Sequence, residues 1–349
     1  MDKRRDGIER LNAALMVVSC IAAFLAPFHL FLFAYAVLGP LHYLTEISWL
    51  HDRDYFAPRR APRRWWLVLV GTAMAVLMYG YISNDLLHRP VAPTLEIGLV
   101  YLVFLTAPLL VWVRHPVNAA VLAILAVAAL ALFSGMRSYA LLAYFIVTIV
   151  HVLVFTCAFV LYGALKSRSG MAMASLVVFA ACVAAIFAVA PPPMLAASDA
   201  VRRIYAFFEP LNAQLLALFG QHGQPIYEAR AGLAVMRLIA FAYTYHYLNW
   251  FSKTSVIRWH EVPRARFAAI VMVWLAAVAV YLYDFTTGLS LLYLLSLLHV
   301  LLEFPLNHKT FAAIATELRG LLRGAVFAEH ERTTGGPPAG RRGRQRRLA

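Results

Sequence analysis

Apolar runs about as long as a bilayer-spanning helix, roughly 20 residues, alternate with short polar stretches along nearly the whole chain. Their spacing predicts ten transmembrane helices, over residues 11–27, 29–50, 65–84, 95–113, 117–133, 139–165, 171–190, 231–251, 266–284 and 287–306. Residues 11–50 also admit one long helix plus a re-entrant piece, because Pro27 and Gly39-Pro40 are potential breaks. No solenoid-like repeat or inverted-repeat pair of halves is visible.

Composition agrees with this pattern. Of 349 residues, 62% are hydrophobic and 14% charged, and mean hydropathy is +0.71, against roughly 45–50% and about 25% in soluble domains. The expected fold is an all-α, polytopic transmembrane helix bundle without a cleavable signal peptide. The net charge of +14 could suggest nucleic acid, but much of it lies in short loops and in Arg341–Arg347. A basic tail beside a membrane helix sets topology or touches anionic lipid instead, so no nucleic-acid partner is expected. Cys20, Cys157 and Cys182 lie in apolar spans without CxxC spacing and read as small hydrophobes.

Basic residues also set the orientation. Lys3, Arg4, Arg5 and Arg10 precede the first span, and Arg53, Arg59, Arg60, Arg63 and Arg64 follow residue 50. An even number of spans between two cytoplasmic flanks places both termini in the cytoplasm. Residues 1–310 then form a single transmembrane helical domain. Its outer loop 191–230 carries "VRRIYAFFEPLNAQLLALF", patterned for a helix lying on the membrane surface. Residues 311–349 form a basic cytoplasmic tail, with disorder expected from Glu331. A bacterial cytoplasmic membrane is the expected location.

The candidate chemistry lies in two matched segments, "LHYLTEISWLHD" (41–52) and "LHVLLEFPLNH" (298–308). His42, Glu46 and His51 align in register with His299, Glu303 and His308. Both spans run in the same direction, so the triplets reach one depth, where His246 also lies and His260 follows in the next loop. Each His-x3-Glu pair places both side chains on one helix face. Ionisable groups inside a membrane face the protein interior and are generally used. Imidazole with carboxylate suits iron, manganese or zinc. His151, mid-span in 139–165, is a further candidate ligand. A hydrogen-bonded His-Glu pair with no metal is the plain alternative.

The segment "YTYHYLNWFSKTSVIRWHEV" (243–262) adds Lys253 and Arg258 among aromatic residues. They either anchor the cytoplasmic interface or hold an anionic headgroup. Arg237 needs a partner, which Glu46 or Glu303 could supply.

The His42–Glu46 and His299–Glu303 pairs, with His246 in "HYLNWFSK", resemble the Blh-type bacterial carotene dioxygenases, although Glu stands here where that family tends to carry Asp. That resemblance implies non-haem iron, mono- or dinuclear, and dioxygen acting on a polyene- or lipid-like substrate. "FSKTSVIRWHEV" is similar to a segment of membrane-bound O-acyltransferases, which would make His260 or His299 a general base. The leading expectation is a membrane metal oxidoreductase with a membrane-dissolved hydrophobic substrate and either substrate electrons or a cytoplasmic electron donor. Zinc or manganese are the other metals considered, and an acyltransferase or a metal- or proton-coupled transporter the other functions.

Overall fold

A computed structural model describes residues 2–53, 60–83, 88, 93–112, 116–133, 150–218, 220–258 and 261–334. Among these the chain is all-helical, with no strand. In chain order the helices are α1 (Asp2–Leu25), α2 (Pro27–Phe33), α3 (Gly39–Asp52), α4 (Arg60–Tyr81), α5 (Pro93–Trp112), α6 (Pro116–Phe133), α7 (Thr156–Ser167), α8 (Gly170–Ala188), α9 (Asp199–Tyr205), α10 (Glu209–Leu218), α11 (Arg230–Ser252), the single turn α12 (Thr254–Ile257), α13 (Arg264–Tyr283) and α14 (Phe285–Thr334). Five helical stretches among the described residues are long and apolar enough to cross a membrane: 7–25, 27–52, 170–188, 264–283 and 285–323. The chain is accordingly read as a membrane protein.

The ambiguity over residues 11–50 resolves into two helices. Ala26 adopts φ −148°, ψ 61° just before Pro27, which starts α2 as its first residue. Gly39-Pro40, by contrast, does not break the helix. A π-turn over Ala34–Leu38 joins α2 to α3, and the Gly39 N–H donates to the Ala34 carbonyl, five residues back. Gly39 is also required for packing. A Cβ there would stand 2.9 Å from the Tyr43 hydroxyl and 3.3 Å from that of Tyr247.

Two helices organise the bundle. Sixteen of the 23 residues of α11 are buried, so it runs through the centre, packed by α1, α2, α8 and α10. The α14 helix is packed by α3, α4, α5, α7 and α13. Each lies in its own apolar core, one including Met236, Phe241 and Tyr245 and the other Val300, Leu301 and Phe304. On α13 only Ile270, Ala277 and Tyr281 are buried, while Met272, Val273 and Leu275 face outward. That is the pattern of a lipid-facing helix.

The structure adds detail to three expectations. The described part of the segment expected as a surface helix, 201–218, is not one continuous helix. A 3-10 turn at Ala206–Phe208 splits it ahead of Glu209-Pro210, and Tyr205, Phe208, Asn212 and Leu216 bury one face against the bundle. The expected tail is helical as far as Thr334, because α14 continues through Pro305. Arg237 meets neither glutamate. Its side chain, fully buried, donates to the Pro191 carbonyl and lies 4.8 Å from the Phe24 ring centroid.

Candidate metal site

Four histidines from four separate stretches of chain converge where the two cores meet. They are His42 on α3, His151 in a π-turn (Val150–Phe155) just before α7, His246 on α11 and His299 on α14. All are buried, at 1–8% exposure. One ring nitrogen from each lies within 4.8 Å of the other three. The rings form a closed circuit of edge-on neighbours, with centroids 4.7 Å apart for His42–His246, 4.8 Å for His246–His151, 5.1 Å for His151–His299 and 5.3 Å for His299–His42.

The local backbone explains part of this convergence. Each of two histidine-bearing stretches contains a π-turn, which adds one residue to a turn and re-aims the side chains beyond it. On α14, Pro305 lacks an N–H, which removes the usual donor to the buried Leu301 carbonyl just beyond His299.

Several partners hold the rings. His246 Nδ1 and Thr156 Oγ1 are 2.7 Å apart. With Nδ1–H donating to the hydroxyl, the His246 Nε2 lone pair faces the centre, 3.1 Å from His42 Nε2. Tyr43 stacks on His299 at 4.2 Å between centroids, and its hydroxyl is 2.7 Å from that of Tyr247.

Two buried carboxyls adjoin the group. Glu46 Oε2 is 3.0 Å from His42 Nε2, and Glu303 Oε2 is 3.0 Å from His151 Nδ1, in both cases without the alignment of a hydrogen bond. The two carboxyls also bear on each other. Spacing along α14 predicts a His299–Glu303 pair, but Glu303 instead meets His151 on another helix.

These residues fit a metal ion. At a metal–nitrogen distance of roughly 2.0–2.1 Å, neighbouring ligand nitrogens stand about 3.0–3.4 Å apart and opposite ones about 4.2 Å. The His42–His246 separation of 3.1 Å falls in the first range. Among the described residues, His151 Nε2 and His299 Nε2 are buried without a hydrogen-bond partner, a cost that ligation removes. Four neutral imidazoles carry no charge, so two ionised carboxylates would balance a divalent cation in this apolar interior.

The remaining sequence candidates stand apart from the four-histidine group. His51 is exposed. His308 lies beside Phe155 and Phe311, with centroids 6.3 and 6.5 Å away. Lys253 ends α11, and Arg258, in the left-handed region with φ 54°, pairs with Glu261 at 3.0 Å on the surface. His260 lies outside the described residues. Sequence reasoning missed Thr156 and Tyr43 as supports of the site. An unpaired mid-span His151 followed five residues later by a threonine was the only available signal for the first. Comparison with protein-family models, curated proteins and solved structures finds no match.

Proposed function

We propose that this protein is an integral-membrane, metal-dependent oxidoreductase, of non-haem iron type, acting on a hydrophobic lipid- or polyene-like substrate. One observation carries the reading: four buried imidazoles converge in an apolar bundle, beside two buried carboxyls. A set of histidines with carboxylates nearby suits a redox-active first-row metal. The likeness to Blh-type carotene dioxygenases in the His42–Glu46 and His246 segments points the same way, and His151 completes a four-histidine set.

His42, His151, His246 and His299 would hold the ion. Bound iron would supply the redox chemistry through which dioxygen is activated. The chain's own residues do the rest. Thr156 fixes the His246 tautomer, Tyr43 braces the His299 ring, and Glu46 and Glu303 balance the charge. The surrounding apolar side chains keep water from the reacting groups. Electrons come from the substrate itself or from a cytoplasmic donor, and a bacterial cytoplasmic membrane is the proposed setting.

Elemental mass spectrometry of detergent-purified protein from iron-supplemented cells tests this proposal. About one iron per chain is expected in the wild type, falling below about a tenth in His246→Ala/His299→Ala at unchanged helical circular dichroism. Stoichiometric zinc in place of iron would refute the oxidoreductase reading while retaining the metal site. A wild type free of metal would refute both.

A further inference from the structure

A groove of about 560 Å³ opens on the flank of the bundle, between α2 with its π-turn and the junction of α13 with α14. This lies within the roughly 300–1,000 Å³ of small-ligand sites. Phe33, Ala36 and Val37 line one side. Ala36 lies six residues before His42, about 9 Å along the helix axis.

The groove has a defined polar mouth. Arg203 and Asp284 both line it and both are exposed. Asp284 is already engaged, accepting the Thr287 N–H at 2.7 Å and so capping α14. Hydrogen bonds from the Thr287 side chain and backbone hold its carboxyl below the usual value, so it stays anionic. Arg203 has no ion-pair or hydrogen-bond partner among the described residues, whereas its neighbour Arg202 is committed to Glu228 at 2.7 Å. Farther in, the Tyr281 hydroxyl is buried with no hydrogen-bond partner among the described residues, on a residue 5% exposed.

We infer that this groove binds a single-chain amphiphile with a carboxylate headgroup, the chain lying on its apolar walls and the carboxylate on Arg203. One guanidinium fork matches one carboxylate in size, planarity and charge. A phosphate monoester, with up to two negative charges, would face the same single cation with Asp284 beside it. The volume suits one chain of a small-ligand class of molecule. In the oxidoreductase reading, on which this last point rests, the groove is where an apolar substrate leaves the bilayer for the histidine site.

Binding is measured on the full chain in nanodiscs without added metal, so its failure and that of the oxidoreductase reading are distinguishable. The probe is cis-parinaric acid, a fluorescent polyene fatty acid. Saturable binding at one site per chain is expected. Oleate should displace it at least about tenfold more effectively than oleyl alcohol or dioleoylphosphatidylglycerol, since loss of a charge-assisted contact costs on the order of one decade in affinity. Arg203→Gln should weaken binding by about the same factor, with Arg202→Gln unchanged. Ala36→Trp should block the groove at unchanged circular dichroism. Equal displacement by oleyl alcohol, preference for the phospholipid, non-saturable partition, or an Arg203→Gln variant that binds like the wild type would each overturn the inference.

Discussion

At the residue scale, ligand readiness depends on groups that would never touch the metal. Thr156 leaves His246 Nε2 free by engaging Nδ1 at 2.7 Å, and Thr156→Val should reduce metal affinity about 10- to 100-fold without altering the fold. Competition with a chromogenic chelator reads this directly, and unchanged affinity would remove Thr156 from the site. Glu303→Ala should cost a similar factor, because it removes the carboxyl beside His151. The sequence showed the residue types here but not the partners. Spacing assigned Glu303 to His299 on the same helix, whereas the structure gives it to His151, which a one-dimensional pattern cannot reveal.

Gly39 belongs to the same scale. Its missing side chain lets the Tyr43 and Tyr247 hydroxyls close against the backbone. An added methyl would meet the Tyr43 oxygen at 2.9 Å. Tyr43 cannot swing aside freely, since it stacks on His299 and is bonded to Tyr247. Gly39→Ala should destabilise the protein by about 1–3 kcal/mol, read as a lower thermal midpoint in detergent. A wild-type midpoint would show that the tyrosines relax at no cost.

At the scale of the element, helix phase decides the site. The π-turn at Ala34–Leu38 inserts one residue into the helix that carries His42. Deleting Val37 should restore ordinary α periodicity and rotate the two parts of the helix by about 100° relative to each other. Either His42 or the Phe28–Phe31 face would then leave its partners. The expected result is a protein that still inserts in the membrane but binds no metal, measured by membrane fractionation alongside metal content. Hydropathy located this helix to within a few residues yet gave no hint of the π-turn, because periodicity over so short an insertion is indistinguishable from noise. Pro40 looked like a break because proline lacks the N–H of a helical hydrogen bond.

At the scale of the whole molecule, the legible part was the class: apolar runs imposed helices, and α11, α13 and α14 start within a few residues of their expected positions. The orientation of side chains around α11 was not legible, since a helix buried on nearly every side has no polar face to mark its interior. A bound divalent ion should tie α3, α7, α11 and α14 together, because it would be ligated from all four stretches of chain. Added iron(II) should therefore raise the thermal midpoint of the wild type, with the increment absent in His246→Ala/His299→Ala. An equal increment in both proteins would place the stabilising ion elsewhere.

The continuity of α14 has a mechanical consequence. Its 50 residues span about 75 Å at 1.5 Å per residue, some two and a half times the roughly 30 Å of a hydrocarbon core. The helix begins at the mouth of the groove, carries His299 and Glu303, and continues beyond its last buried residue among those described, Ile314, with residues 318–323 exposed. A load applied to that extension, whether by a docked protein or by an engineered fusion in helical register, is borne by the same backbone that aims the His299 ring.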